Sequence, residues 1–291
     1  MVTLVIRHLK LYLKRPTNII LSFLSSGVIL SLYFLFIREF TIKAVSDYGF
    51  NSQYNELFVD RLMTSGLLIV IGATSVLSIM FIFVKDRYSG LIKDFLVAPI
   101  SDWKILYSYF FASFFISMMI TIFVYFGIEL FFLIHYQDQR TVYQMIASIF
   151  TIFCSNMIAS LIILIIALFI HNFTSFSTFE TLYGVVIGFF TGVYIPIGYY
   201  PALIRNIFFY FPLCQTTSIL RTIQTGSITS QILKNYPKEQ HHVLYEIFGV
   251  HLTFQNQVIS LEKQWKMVFV AIILLNLFLF LYIFRKKYKK R

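Results

Sequence analysis

Apolar positions in this chain come in long, nearly unbroken runs, and short polar stretches separate them. Six runs stand out, at about 18–37, 62–84, 105–134, 142–170, 178–195 and 266–284. A helix crosses the hydrocarbon core of a bilayer with about 20 mainly apolar residues, so the pattern predicts six transmembrane helices. Period-two alternation is missing from the runs, which disfavours a membrane barrel.

Two further segments read as amphipathic helices. Val2, Val5, Ile6, Leu9 and Leu13 share one helical face while Arg7, Lys10 and Lys14 take the other, so residues 1–17 are expected to lie flat in the inner interface before Pro16 turns the chain into its first span. Leu4 and Leu11 interrupt the polar face and predict a contact with protein as well as lipid. The second segment lies within 85–104, a charged interruption between two apolar runs. On a helix from Gly90 to Val97, Leu91, Ile92, Phe95 and Leu96 fall on one face and Lys93 and Asp94 on the other, and Pro99 ends it.

Composition supports the membrane reading: 58% of residues are hydrophobic, 13% are charged and the mean hydropathy is +0.77, whereas soluble domains carry about 25% charged residues. The net charge of +11 follows from where the cations sit, and it implies no nucleic-acid partner. Arg7, Lys10, Lys14 and Arg15 precede the first run, Lys85, Arg87, Lys93 and Lys104 lie in the 85–104 loop, and Arg285, Lys286, Lys287, Lys289, Lys290 and Arg291 close the chain. Longer intervening segments carry cations more thinly, so the positive-inside rule places both termini in the cytoplasm. Cys154 and Cys214 fall at different depths, and no disulfide is expected. The first run is long and lacks a small-x-small cleavage site, which argues against a removable signal.

Within the runs, Gly66, Gly72, Ala73, Ser75 and Ser78 allow close helix approach in the second. Gly184, Gly188 and Gly192, spaced by four, predict a smooth packing seam in the fifth, for a helix of this chain or of a second copy. Ser177 to Glu180 has the spacing of a capping box at a helix start. Glu129, near the end of the third run, is expected to be solvated, and Asn156 to bond another helix. After the fifth run Pro196 and Pro201 break the helix, and 202–211 is apolar but too short to span, so a re-entrant or interfacial hairpin is expected, followed by Pro212 and Arg221. Residues 223–264 read as a polar outer segment capping the exit, with Trp265 as an interfacial anchor. His241, His242, Glu246 and His251 complete no metal-ligand spacing there.

No Gly-x-x-x-x-Gly-Lys-Ser/Thr phosphate loop occurs in the sequence. Intramembrane carboxylates are limited to two peripheral glutamates and no nucleophile–base pair is evident, so neither an ion-driven carrier nor an enzyme is favoured. Energy is expected from a partner.

Asp86-Arg87, two further residues and Gly90, then a Leu-rich turn and Pro99-Ile100-Ser101, resemble the cytoplasmic loop of ABC-2 type transporter permeases. Asp86 stands where that family usually has Glu, and Leu91 where Thr is frequent, but a charge four residues before the glycine is kept. The succession Gly192, Pro196, Pro201, Pro212 and Arg221 is similar to the family's outer half-helices, which close the path, and residues 1–17 to its elbow helix. The resemblance covers essentially the whole chain, as one all-α transmembrane domain over 1–291 with a coupling loop at 85–104 and an outer re-entrant and cap segment at 196–264.

That resemblance implies that Asp86, Arg87, Gly90, Leu91, Phe95, Leu96 and Pro99 dock on a separate ATPase, and that the second and fifth spans line the path with Met63, Phe81 and Phe83 on its wall. It further implies two ATPase subunits that bind ATP and magnesium, none bound by this chain, a second permease chain, identical or homologous, and export across a bacterial plasma membrane. The 34 Phe and 19 Tyr would suit a hydrophobic or amphipathic cargo such as a drug, toxin, lipid-like compound or modified peptide. A lipid-linked polysaccharide or teichoic acid is the alternative cargo, and a non-transporting scaffold or sensor the alternative of another class.

Overall fold

The computed structural model describes residues 1–14, 16–47, 54–97, 100–232, 245–254 and 257–288, and these are mostly helical. Helix α1 (Val2–Leu13) leads into α2 (Pro16–Leu32), which runs through a π-helical turn at Tyr33–Ile37 into α3 (Arg38–Asp47). Helices α4 (Asn55–Ser75) and α5 (Leu77–Tyr88) meet at Val76 and together form one 34-residue element. Next come the short α6 (Leu91–Val97), the long α7 (Asp102–Tyr136) and α8 (Val142–Phe169), and α9 (Phe173–Phe190). After a 3-10 turn at Ile197–Tyr199, α10 (Ala202–Tyr210), α11 (Pro212–Ile232) and α12 (Leu261–Tyr288) complete the helices.

Among the described residues, four elements are long and apolar enough to cross a membrane: Asn55–Tyr88, Asp102–Tyr136, Val142–Phe169 and Leu261–Arg285. The first and fifth apolar runs fall on the shorter α2 and α9. The α4–α5 element is the central mast, with 78% of its most apolar stretch buried, while α12 is peripheral at 11%. Around α4 stand α7, α8 and α11. They approach closely because Gly72 has no side chain: Ser117 Oγ donates to the Gly72 carbonyl at 2.7 Å, and a Cβ at Gly72 would sit 2.0 Å from Asn156 Oδ1. Asn156 in turn donates to Thr121 Oγ1 at 3.3 Å, the interhelical bond its sequence position predicts.

Helix starts follow local chemistry. Thr141 and Gln144 form a reciprocal capping box at α8. At α9 the cap is Asn172, whose side-chain oxygen accepts from the Ser175 amide at 3.1 Å, so the expected box at Ser177 and Glu180 is corrected: both residues lie inside a helix that has already begun. The helix also ends at Phe190, and Gly192 sits beyond it in a turn with φ +64°. The expected seam therefore dissolves within this chain. Gly184 has nothing within 4 Å, and Gly188 is packed against the Tyr194 ring.

Helix α11 is the main departure from the hydropathy pattern. Residues 223–232, expected in a polar outer segment, instead continue a helix that reaches Ile232, and that helix is interior. Gln215, Thr216, Thr217, Ser218, Arg221, Gln224, Thr225 and Thr229 are all buried. Two of them bond a neighbouring helix, Thr216 Oγ1 donating to Ser155 Oγ at 3.3 Å and Gln224 Nε2 to Ser148 Oγ at 2.9 Å, while Thr217, Thr225 and Thr229 donate to carbonyls of α11 itself. Residues 245–254 then fold back over α11, and Thr253–Phe254 pairs antiparallel with Gln257–Val258.

Helix α1 buries Leu4, Val5, His8 and Tyr12 against the protein and exposes Val2, Ile6 and Leu13. Leu4 makes the protein contact its position predicts, and Val5, expected on the lipid face, is corrected: it packs against the protein too.

Candidate functional site

At one end of α5, Asp86 is buried and gathers two donors: Tyr109 Oη of α7 at 2.7 Å and Arg7 Nη1 of α1 at 3.0 Å. The Arg7 guanidinium also stands 5.1 Å over the Phe95 ring of α6. Beside it His8 is fully buried, stacked on Tyr109 at 3.8 Å and bonded through Nε2 to Ser108 Oγ at 3.1 Å. Burial, with Arg7 adding to it, pushes the imidazole down to about 3 and keeps it neutral. Arg87, the next residue of α5, donates to the carbonyls of Leu168 and Ile170 and closes the last turn of α8.

Gly90 forms the turn between α5 and α6 with φ +82°, a conformation in which a Cβ is strained. Helix α6 is thus hung from α5 by a tight turn, and the two residues above that turn grip α1, α7 and α8. Leu91, Ile92 and Phe95 of α6 are half-buried. Pro99 and the Leu96 side chain lie outside the described residues. A small cavity behind α6 is lined by Phe83, Arg87, Ile92, Asp102, Leu106 and Tyr282.

Of the expected wall residues, Met63 and Phe83 are buried. Phe83 meets Tyr109 edge to face at 5.0 Å, and the half-buried Phe81 meets Phe173 of α9 at 4.5 Å. The sequence singles out Asp86, Arg87, Gly90 and Phe95 but assigns no role to His8 or Tyr109, whose contact with each other joins residues 101 positions apart.

The opposite end of the mast carries a denser charge cluster. Asp60 of α4 accepts from Tyr33 and Tyr136 hydroxyls, each at 2.5 Å, and from Arg38 Nε at 2.9 Å, while Arg38 also reaches Glu56 at 2.7 Å. The π turn at 33–37 sets Tyr33 and Arg38 on the same carboxylate. Arg61 points the other way, bonding both Glu129 oxygens at 2.7 and 2.8 Å, Gln224 Oε1 at 3.0 Å and Asp138 at 2.8 Å, with its guanidinium 3.8 Å over the Phe132 ring. Glu129, expected to be solvated, is 7% exposed. The correction is physical: a partner on α4 replaces water. Arg140 joins through Asp138 at 3.6 Å, and burial, with Arg61 adding to it, pushes its guanidinium down to about 10.

Below this cluster lies Arg221, fully buried on α11. It donates to the carbonyls of Leu62 on α4 at 3.3 Å, Phe248 at 3.1 Å and Gly192 at 2.9 Å. Pro196 precedes the 3-10 turn, Pro201 caps α10 and Pro212 is the first residue of α11. Beneath these turns Ile197, Phe208, Phe209, Cys214 and Leu252 form a separate small apolar cluster. The expected outer-gate residues are thus brought to one region. Cys154 and Cys214 are both free and buried. Among the described residues no three His, Cys, Asp or Glu gather as a metal site, and His241 and His242 lie outside them.

A protein-family model described as ABC-2 type transporter matches residues 1–225. No curated protein and no solved structure matches the chain. The matched residues include the whole Asp86 node and Arg221.

Proposed function

The chain belongs to the ABC-2 type transporter family, and on that premise we propose that this permease works in an ATP-driven exporter, moving a hydrophobic or amphipathic molecule outward across the plasma membrane. It works with two ATPase subunits and a second permease chain, and both of its termini are cytoplasmic. Six spans fit this arrangement when α2 with its π turn and α9 are added to the four long elements. Helices α10 and α11 then form the re-entrant hairpin. Support for its depth comes from Thr216, near its tip, which bonds Ser155 halfway along α8.

The observation that carries the reading is the suspension of α6 below Asp86 and Arg87. When the ATPases close on ATP, α6 moves, and Gly90, Asp86 and Arg87 pass that displacement to α5, α1, α7 and α8 together. Arg7 is a second input, since it touches both Phe95 of α6 and Asp86. At the far end the turn after α9, the α10–α11 hairpin and the 245–252 turn close the path around Arg221.

The test is affinity purification of the tagged chain from its native membrane. A stoichiometric ATPase with vanadate-sensitive turnover is expected, and Phe95→Asp should abolish its association while insertion persists. A chain that purifies alone, or a Phe95→Asp complex that assembles normally, would remove the coupling assignment.

A further inference from the structure

Besides the half-buried Arg205 of α10, four arginines stand at this end of the molecule, and they are of two kinds. Arg38, Arg61 and Arg140 each have a carboxylate at 3.6 Å or closer. Arg221 has none among the described residues, and its three bonds go to neutral carbonyls. A guanidinium held out of water without a counter-charge is strongly disfavoured. Ionisable groups retained inside membrane chains mark function more often than packing.

The surroundings are shaped to the guanidinium. A Cβ at Gly66, Gly192 or Gly249 would come within 3.1, 3.3 or 2.9 Å of one of its nitrogens. Gly192 and Gly249 hold φ of +64° and +68°, so the turns carrying two of the acceptors take conformations that favour glycine. Only the Leu62 carbonyl belongs to the central mast. The other two acceptors belong to the turn after α9 and the turn over α11, both parts of the outer closure.

We propose that Arg221 is the anion-binding group for the cargo. With the closure shut, the Gly192 and Phe248 carbonyls occupy the guanidinium. When those turns withdraw, the carboxylate or phosphate head of an amphipathic cargo takes their place. Exchange is favourable because the anion brings the counter-charge that the neutral carbonyls lack and can accept two parallel bonds from the guanidinium fork. Further out, Arg38, Arg61 and Arg140 face four carboxylates, Glu56, Asp60, Glu129 and Asp138. That ring offers an anion no second holding place, so the head group passes outward. This inference rests on the exporter reading and narrows its cargo.

The experiment uses the permease–ATPase complex in zwitterionic nanodiscs, with vanadate-sensitive hydrolysis followed against dodecyl phosphate, dodecanoate, dodecanol, dodecyltrimethylammonium and inorganic phosphate. Both anionic amphiphiles are expected to stimulate at concentrations about tenfold below dodecanol, a ratio equivalent to about 1.4 kcal/mol, with no stimulation by the cation. Equal action of dodecanol or the cation, or no response to any probe, would overturn the anion site. Inorganic phosphate acting as well as dodecyl phosphate would overturn its amphipathic form. Arg221→Lys, if folded, should raise the half-saturating concentration of both anions about tenfold and leave dodecanol unchanged, and an unchanged anion response there also overturns the proposal. Because the probe series is read on the unmodified complex, a variant that fails to fold decides nothing against it. Absence of a co-purifying ATPase would remove the exporter reading itself, whereas hydrolysis indifferent to head charge removes only the anion site.

Discussion

At the α5 end of the mast, Asp86 holds an arginine whose side chain is 30% exposed, and the neighbouring Arg87 holds backbone carbonyls. At the α4 end, Arg61 is 1% exposed and clamped by two carboxylates and an amide. The same residue types therefore make different joints. An ion pair that water can reach contributes about 0–1 kcal/mol, so its geometry can change during a working cycle. A buried one is rigid, because separating its partners strands a charge and costs about 3–5 kcal/mol.

The contrast is broken most directly at Arg61. Arg61→Met leaves Glu129 and Asp138 without their cation and should destabilise the chain by about 3–5 kcal/mol, read as a lowered midpoint in thermal unfolding of the detergent-solubilised protein. A loss below about 1 kcal/mol would show the cluster at the α4 end to be as loose as the one at the α5 end. Next is Gly188→Leu, whose side chain would meet the Tyr194 ring, 2.2 Å from an added Cβ. Overpacking of this kind costs about 1–3 kcal/mol. An unchanged unfolding midpoint would mean that the turn after α9 is not seated on the helix.

The node at the α5 end is sharpened by pH. His8 titrates near 3 in the fold against 6.5 when unfolded, so below pH 6.5 the unfolded state takes up a proton that the folded state refuses. Stability from this residue is complete above 6.5 and is lost as pH falls toward 3. By pH 5.5 the loss should be about 1.4 kcal/mol, and it should vanish in His8→Gln. A pH-independent midpoint in the parent chain would exclude a buried neutral His8. The smallest effect is expected for Asp86→Asn, about 1 kcal/mol in stability. Its larger consequence is kinetic: hydrolysis by the complex should persist while export falls, and proportional loss of both would make Asp86 merely structural.

Much of the fold was legible because lipid demands long apolar runs, and the interruption at 85–104 announced itself by charge. Asp86, Arg87, Gly90 and Phe95 were found that way. The partnerships were not legible, since Arg61 and Glu129 are 68 residues apart and a sequence shows neither which helices adjoin nor which faces meet. The last part of α11, from residue 223, reads as a polar outer segment because hydropathy assumes that polar residues seek water, whereas Gln224 finds a hydroxyl, a carboxylate and a guanidinium inside the bundle. One signal was available: Tyr109, Ser113, Ser117, Thr121, Tyr125 and Glu129 recur every fourth residue in α7, and all are buried. Such a stripe along an apolar helix marks the face turned toward polar partners.

Helix α11 also constrains how the protein is made. On insertion scales an arginine at the centre of a membrane helix costs about 2.5–3.5 kcal/mol, and α11 adds buried glutamines and threonines to that burden, so it does not partition into lipid by itself. The helices that bond it, α4, α7 and α8, all precede it in the chain, and of the carbonyls that hold Arg221 those of Leu62 and Gly192 are already synthesised when it emerges, with Phe248 following. Biogenesis therefore has an order: α4, α7 and α8 assemble first, α11 is received into the site they leave, and the sparsely packed α12 seals it last.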